Sequence, residues 1–411
     1  MKVLWITNIL FPEAEKILTG KANLTSSGGW MLGAAEALLQ YSDIQLTIAT
    51  SSRRVDRLTQ LDGKRINYYV LPANKNQFTN LWRIVKDEVG PDIVHIHGTE
   101  YPHSCAYVKA NGADRVVISM QGLTSVIPRY YLASMSYWNV IRNITPRDLI
   151  RGTLFSGKRS FRKRGNEEVW LLQNVNHIIG RTSWDRAHVW AINPNARYYY
   201  CNEILRHEFY SGQWEYDRCV PHTIFISQAG YPLKGLHQII KALPLILRHY
   251  PNTQVRVAGN KLIDNSSLYC RLKRSGYGHF IEKLISRLHL NGHVIFLGPL
   301  NAAQMKEEYL MANVFVCPSS IENSSNSLGE AQILGIPCIC SYVGGSSDMM
   351  CGNENGLYRF EETEMLAWKI CQVFDAVNKT FLRRMADQAA VRHDRQKNTM
   401  RLISVYREIC K

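Results

Sequence analysis

Short apolar runs alternate with amphipathic helical stretches along the first part of the chain. The predicted strands of this series are residues 3–7, 46–50, 68–72, 92–98 and 115–122. Helical spacing of apolar residues runs through 30–40 and 78–88, between successive strands. Strands that alternate with helices are typical of a parallel, doubly wound sheet, which binds ligands beyond the carboxyl ends of its strands.

A second series of the same kind begins near residue 222. Its predicted strands are residues 222–230, 254–259, 293–300, 314–319 and 336–341. A chain of 411 residues is longer than one core usually organises, so two α/β domains are expected. We place them at residues 1–214 and 215–411, facing a cleft, and we expect the last helix to cross back to the first domain.

The bulk composition adds one strong signal, a formal net charge of +15, which implies an anionic partner. Nucleic acid, anionic lipid or a phosphorylated substrate could each be that partner. Ten cysteines are scattered without metal-ligand spacing, and no apolar run approaches the roughly 20 residues that span a bilayer. The first residues read as a strand rather than a signal peptide, so we expect a cytoplasmic protein with free thiols.

In the second series, two glutamates flank the start of a predicted helix. Glu322 lies in the loop after a strand, and Glu330 lies just inside the helix. Asn326, Ser327 and Leu328 stand at the helix start, where exposed N–H groups suit phosphate and sugar oxygens. Glu330 can accept hydrogen bonds from two ribose hydroxyls, and Glu322 can do the same for the hydroxyls of a sugar. The spacing alone also fits a surface helix with two solvated glutamates.

A lysine at a helix entrance is the second candidate. Lys234, followed by Gly235, can supply a point charge for a diphosphate. That charge would stabilise the negative charge that grows on a leaving nucleotide diphosphate. A solvated loop lysine is the alternative.

Two features of the first series give weaker indications of a functional site. A loop ending in Gly28 and Gly29 precedes a helix, and its backbone N–H groups could approach a phosphate closely. His97 ends a predicted strand and is expected to face the cleft, although a buried structural histidine is an equal alternative.

The ordered motifs of the second series resemble glycosyltransferase family 4 (group 1) of the GT-B fold. The matching residues are Pro318-Ser319, Glu322, Glu330-Ala331, Gly335-Ile336-Pro337, Gly344-Gly345 and Lys234-Gly235. In this family the second glutamate holds the ribose, the first contacts the donor sugar, and backbone amides between them hold sugar hydroxyls. The resemblance therefore implies donor-binding roles for Glu330, Glu322 and the Gly28-Gly29 loop, and catalytic roles for Lys234, Glu322 and His97.

The chain departs from the family at two positions. The arginine that usually precedes the lysine is replaced by Ala229, and we expect another basic residue, such as Lys261, to compensate. A histidine that often ends the next strand is replaced by Gln121, which can form hydrogen bonds but cannot transfer protons.

The resemblance implies a retaining enzyme that moves a hexose or N-acetylhexosamine from a UDP- or GDP-linked donor to a saccharide or lipid-linked saccharide. Residues 180–210 look like the branch of the family that makes bacterial surface polysaccharides, and the first domain would be the acceptor side. No Asp-x-Asp occurs, so we expect neither a metal nor a cofactor. The alternatives are another GT-B enzyme (a phosphorylase or a nucleotide-sugar epimerase) and a basic nucleic-acid binder, which lacks any nucleic-acid-reading motif.

Almost half of the net charge lies in one segment. Residues 142–164 hold eight basic residues and one acid, a net +7, beside aliphatic and aromatic side chains. Such a segment suits the anionic inner face of the plasma membrane, and we assigned it to the first domain. A solvated basic loop is the alternative.

Overall fold

The protein is described from a computed structural model, which covers residues 1–20, 29–74, 78–376 and 378–411. The strands are β1 Lys2–Ile6, β2 Gln45–Ser52, β3 Thr59–Asp62, β4 Asn67–Pro72, β5 Ile93–His97, β6 Val116–Ser119, β7 His177–Gly180, β8 Arg197–Tyr200, β9 Thr223–Ile226, β10 Gln254–Ala258, β11 Val294–Gly298, β12 Val314–Cys317, β13 Cys338–Ser341 and β14 Leu357–Tyr358. The α-helices are α1 Pro12–Thr19, α2 Gly29–Leu38, α3 Phe78–Val89, α4 Pro102–Asn111, α5 Ile127–Tyr130, α6 Tyr137–Arg142, α7 Pro146–Arg151, α8 Leu154–Asn174, α9 Ser183–Ile192, α10 Leu236–Leu247, α11 Leu268–Leu272, α12 Gly276–Arg287, α13 Ala302–Met311, α14 Asn326–Leu334, α15 Ser346–Met349, α16 Thr363–Asp375, α17 Lys379–Arg392 and α18 Arg395–Ile409.

The contacts divide the chain into two compact units. Unit 1 contains residues 1–126, 161–205 and 393–411, and unit 2 contains residues 127–160 and 206–392. The sequence predicted one boundary at residue 214, whereas this grouping changes unit after residues 126, 160, 205 and 392.

Unit 1 is built on an eight-stranded sheet in the order β3-β4-β2-β1-β5-β6-β7-β8. Every neighbouring pair is parallel except β3 with β4. Both faces of β1 are covered, because Val3 and Trp5 pack in one apolar cluster and Leu4 and Ile6 in another. Burial on both faces explains why the central strands read as continuous apolar runs.

Unit 2 is built on a six-stranded parallel sheet in the order β11-β10-β9-β12-β13-β14. Ile224 and Ile226 of β9 pack in one apolar cluster, and Phe225 packs in the other. The strand order reverses between β9 and β12, and ligands of open α/β sheets bind beyond the carboxyl ends of strands at such a point.

The assignment of residues 142–164 to the first domain is wrong for most of the segment, because residues 127–160 pack with unit 2. The carbonyl of Ala133 lies 2.8 Å from Nε2 of buried His237, and Thr145 Oγ1 donates to the Arg274 carbonyl at 2.9 Å. The pattern of basic and apolar residues indicated a surface segment but contained no information on which sheet the segment would join.

None of the helices in the described part of the chain has both the length and the apolar character needed to cross a bilayer.

Candidate functional site

The Lys234 loop is fixed by the glycine that follows it. Residues Pro232–Lys234 form one 3₁₀ turn after β9, and Gly235 takes a left-handed conformation with φ of 69° before α10 begins. A Cβ atom at Gly235 would lie 1.6 Å from the Pro318 carbonyl oxygen in the loop after β12. Only glycine permits this approach, so the Lys-Gly pair brings the loops after β9 and β12 together.

Glu322 is held by the glycine pair of the motif, Gly344-Gly345. The Gly345 N–H donates to the Glu322 carbonyl at 3.0 Å, and a Cβ at Gly344 would lie 1.9 Å from the same oxygen. The Ser319 hydroxyl donates to Oε1 of Glu322 at 2.7 Å. Backbone and side chain of Glu322 are therefore both positioned by motif residues.

The structure brings Lys234 and Glu322 into direct contact. Nζ of Lys234 lies 2.6 Å from Oε1 of Glu322, and the two side chains are 21% and 15% exposed. Burial lowers the pKa of Lys234, but the Glu322 carboxylate outweighs burial and the pKa is raised overall. The lysine is therefore a permanent cation beyond the ends of β9 and β12, where the strand order reverses.

The third part of the site is the start of α14. The helix begins at Asn326, and the Ser325 hydroxyl and carbonyl both accept from the Leu328 amide. Leu328, which we expected to contact the donor, has its amide used by this cap and its side chain fully buried. The amides of Asn326 and Ser327 lie in the first turn of α14, at the positive end of the helix dipole, where an anion is favoured.

Glu330 is buried against Arg206, which lies outside the motifs that the sequence singled out. Nε and Nη2 of Arg206 donate to the two carboxylate oxygens of Glu330, each at 2.7 Å. Burial raises the pKa of Glu330, and although Arg206 acts against burial, the pKa is raised overall. The two residues are 124 positions apart, so no local pattern could have paired them.

A polar cavity of about 390 Å³ lies in unit 2 beyond the ends of β9 and β10. Gln228 lines it from the loop after β9, and Lys261 lines it from the loop after β10. Arg147, Lys273 and Arg274 add basic side chains. With four basic residues and one acid in its lining, the cavity suits an anionic group.

The candidates in unit 1 occupy different surroundings. Gly29 is the first residue of α2, and Gly28 lies outside the described residues. His97 ends β5, and its ring lies 3.8 Å from the ring of His95 and 4.4 Å from that of Trp5, measured between centroids. Burial, helped by the charge of Arg181, lowers the pKa of His97 to about 3. The ring is therefore neutral at physiological pH, in the buried setting given above as the alternative.

The sequence analysis missed an acid near His97. Oε1 of Glu100 accepts the Gly122 N–H at 2.9 Å, and burial raises the pKa of Glu100 to about 7. Glu168, which is fully buried, accepts the amides of Thr124 and Ser125 at 3.0 and 2.9 Å. The sequence offered one indication for Glu100, which is its place in the loop after a buried strand. Glu168 lies inside a helix whose first turns are basic, and nothing in the sequence marked it as a site residue.

Within the described ranges, no group of three histidine, cysteine, aspartate or glutamate side chains is arranged to hold a metal ion. Metal independence stays a prediction.

Comparison with protein families gives the class of the C-terminal half. Residues 221–390 match the family model described as glycosyl transferases group 1. This segment is therefore similar to group 1 glycosyl transferases. The matched segment contains Lys234, Glu322, Glu330 and the whole of α14, whereas Arg206 and Arg147 lie outside it.

Relatives of known sequence match over similar, partial lengths. The chain is 27% identical over 151 residues to an uncharacterized glycosyltransferase of Methanocaldococcus jannaschii, which covers 36% of this chain and 35% of that protein. It is 26% identical over 180 residues to a D-inositol 3-phosphate glycosyltransferase of Corynebacterium urealyticum, with 43% and 41% covered. The matches therefore span about two fifths or less of these relatives.

Solved structures match over the whole chain. Sucrose-phosphate synthase from Thermosynechococcus elongatus superposes with a TM-score of 0.70 at 15% identity, covering 99% of this chain and 98% of that one. Anabaena HepE, crystallised with UDP, gives a TM-score of 0.65 at 14% identity, covering 99% and 100%. At this identity the likeness shows the fold alone. The predicted GT-B fold, with two Rossmann-like units, is confirmed.

Proposed function

We propose that the protein is a retaining glycosyltransferase of the family 4 type, which transfers a hexose or N-acetylhexosamine from a UDP- or GDP-linked donor. The acceptor in this proposal is a saccharide or lipid-linked saccharide used in surface polysaccharide synthesis. The observation that carries it is the half-buried Lys234–Glu322 pair at the reversal of strand order, inside the segment that matches the group 1 family model.

The donor would bind across the loops after β9 and β12. The amides of Asn326 and Ser327 are suited to oxygens of the diphosphate or the sugar. Glu330 would hold the ribose hydroxyls, because a carboxylate has about four lone-pair sites and the two hydrogen bonds from Arg206 leave others available. Arg206 also opposes the rise in the Glu330 pKa that burial causes.

Lys234 would act on the leaving group. As the bond to the anomeric carbon breaks, negative charge grows on the diphosphate, and a preplaced ammonium stabilises that charge without reorganisation. Ala229 is buried and supplies no second cation. We assign that role to Lys261, whose cavity adjoins the same loop after β9.

Retention of the anomeric configuration without a covalent intermediate is consistent with the pairing of the two glutamates. Glu322 is paired with Lys234 and Ser319, and Glu330 is paired with Arg206, so neither is set up as a free nucleophile for a covalent intermediate. We therefore favour displacement on the front face of the sugar, with the leaving diphosphate accepting the acceptor's proton. Because its pKa is lowered to about 3, His97 is a weak base and would shape the acceptor side rather than transfer a proton.

A nucleotide screen by thermal unfolding tests the donor assignment. A nucleoside diphosphate present at 100 times its Kd should stabilise the protein by about 2.7 kcal/mol. UDP and UDP-sugars come first, because the similarly folded HepE was crystallised with UDP. No stabilisation by any UDP or GDP compound would contradict the proposal.

Kinetics then tests the role of Lys234. Lys234→Ala should lower turnover at saturating donor more than it lowers donor affinity, because the charge that Lys234 stabilises appears mainly in the transition state. Lys379→Ala, which changes an exposed lysine of unit 2, is the control. Near wild-type turnover in Lys234→Ala would contradict the proposed role of Lys234. A wild-type reaction that requires inorganic phosphate would instead favour a phosphorylase.

A further inference from the structure

Three short helices of unit 2 expose an unusual number of large apolar side chains. Among the described residues, 23 large apolar side chains are well exposed, and eight of them lie on α6, α7 and α11. They are Tyr137, Trp138, Ile141, Leu149, Ile150, Leu268, Tyr269 and Leu272, with exposed fractions from 50% to 85%. Single exposed apolar residues are ordinary, but a cluster of them on a protein surface marks an interaction site.

Contacts with α12 and one shared cavity place these three helices near one another, and their exposed side chains are here called the docking face. Asp148 of α7 accepts the Gly276 N–H just beyond α11 at 2.8 Å, and α6 packs against α12. Arg147 of α7 and Cys270 of α11 line the same 390 Å³ cavity. The docking face therefore combines residues that lie more than 100 positions apart in the sequence.

The exposed charge of the docking face has one sign. Arg142, Arg151, Arg271 and Lys273 are exposed on or directly after its helices, and the only acid, Asp148, is buried in the contact just described. Two of the basic groups lie over exposed aromatic rings. The Arg142 guanidinium is 4.5 Å from the Trp138 ring centroid, and Nζ of Lys273 is 3.8 Å from that of Tyr269.

This combination matches the chemistry of an anionic bilayer surface. Tryptophan and tyrosine are enriched at the level of lipid headgroups, aliphatic side chains enter the acyl boundary, and basic residues contact anionic headgroups. We propose that the docking face binds reversibly to membranes that contain anionic lipids. This inference goes beyond the proposed function and does not depend on it, because it makes no use of Lys234 or Glu322.

The docking face differs from the segment that the sequence singled out. Leu154 and Phe155 pack against the apolar core of unit 2, so they are not available to lipid. Arg164 donates to the Glu100 carbonyl at 3.2 Å and belongs to unit 1. The sequence analysis did not include α11, because nothing local connects residues 268–272 to residues 137–151.

Vesicle sedimentation with the full chain tests the proposal. The wild type should sediment with vesicles of phosphatidylcholine mixed with phosphatidylglycerol, should bind less as salt rises, and should not bind phosphatidylcholine alone. A charge variant changes Arg142, Arg151, Arg271 and Lys273 to Gln. Each basic residue is worth about fivefold in partitioning, so this variant should lose at least about tenfold.

Matched controls separate the docking face from general charge and apolarity. The charge control changes Arg53, Arg57, Lys64 and Arg383, also exposed, to Gln. The apolar variant changes Leu149, Ile150, Leu268 and Leu272 to Ser, and its control changes Trp190, Val391 and Met400, which are 69%, 64% and 55% exposed. Both docking-face variants should lose binding while both controls keep it.

Two results would overturn the proposal. One is equal sedimentation of the docking-face variants and their controls, and the other is equal binding of the wild type to neutral vesicles. A wild type that dimerises without lipid, and becomes monomeric in the apolar variant, would show instead that the face pairs two copies of the chain. Unchanged melting temperatures would show that the variants are folded, so failure here leaves the proposed function untouched.

Discussion

The Arg206–Glu330 pair should be needed for stability. The side chains are 15% and 4% exposed and share two hydrogen bonds of 2.7 Å, so removing one partner leaves the other charge buried. Such losses cost about 3–5 kcal/mol. At about 2–4 °C per kcal/mol for a domain of this size, Arg206→Met and Glu330→Ala should each lower the melting temperature by roughly 6–20 °C.

The pH dependence of Arg206→Met follows from the pKa of Glu330. Burial already raises this pKa, and loss of the guanidinium removes the main opposing effect. When the pKa of a carboxyl is higher in the folded than in the unfolded protein, the neutral form of that carboxyl stabilises the fold. This stabilisation is lost as the pH rises and the carboxyl ionises. The melting temperature of Arg206→Met should therefore lie closer to the wild type at pH 5 than at pH 8.

Nucleotide affinity separates the structural part of the pair from its proposed binding role. Glu330→Ala should weaken nucleoside diphosphate binding by about 1.5–3 kcal/mol, because it removes the ribose acceptor, whereas Arg206→Met keeps that acceptor and should weaken binding less. Arg256 and Glu308 form a second pair with two 2.7 Å hydrogen bonds, so Glu308→Ala is the control and should leave nucleotide affinity unchanged. Unchanged affinity in Glu330→Ala, or stability losses that simply add in the Arg206→Met/Glu330→Ala double variant, would refute the reasoning.

Two further outcomes follow from glycine geometry and from a buried acid. Gly235→Ala should destabilise the protein well beyond Gly292→Ala, since both residues have positive φ but only the Gly235 Cβ meets a backbone oxygen, at 1.6 Å; equal melting temperatures would contradict this. Burial raises the pKa of Glu100 from 4.5 to about 7, so its carboxyl stabilises the fold below about pH 4.5 and loses that contribution as pH rises through 7. Glu100→Gln should therefore gain stability relative to the wild type between pH 5 and pH 8, by up to about 3 kcal/mol, and a gain independent of pH would count against the shift.

The central strands and the GT-B architecture could be predicted because their signal is local. A strand buried on both faces, such as β1 or β9, contains a continuous apolar run whatever it packs against. The strands that were missed are short or lack this pattern: β14 has two residues, β7 has four, and β8 reads Arg-Tyr-Tyr-Tyr with two exposed positions. Strand β3 is an edge strand with one buried residue in four.

The site was predictable only as a set of separate residues. The order of motifs identified Lys234 and Glu322, but their contact depends on Gly235 and Gly344 meeting distant backbone oxygens. The partner of Glu330 lies outside the motif altogether. Local sequence patterns specify the helices, the strands and the points where strands end. Contacts between side chains that are distant in the sequence are seen only in the three-dimensional structure.

The grouping of chain segments has a consequence for biosynthesis. The Trp5 indole donates to the Tyr406 hydroxyl at 2.9 Å inside unit 1, across 401 positions of sequence. Ribosomes make all of residues 206–392 between these two partners. While unit 2 is being synthesised, the apolar face of β1 that contains Val3 and Trp5 therefore lacks Ile403 and Tyr406, which complete its core cluster. We expect the nascent chain to be a chaperone client at this stage and unit 2 to complete its folding first, because a sheet face that awaits its cover exposes apolar surface to other chains.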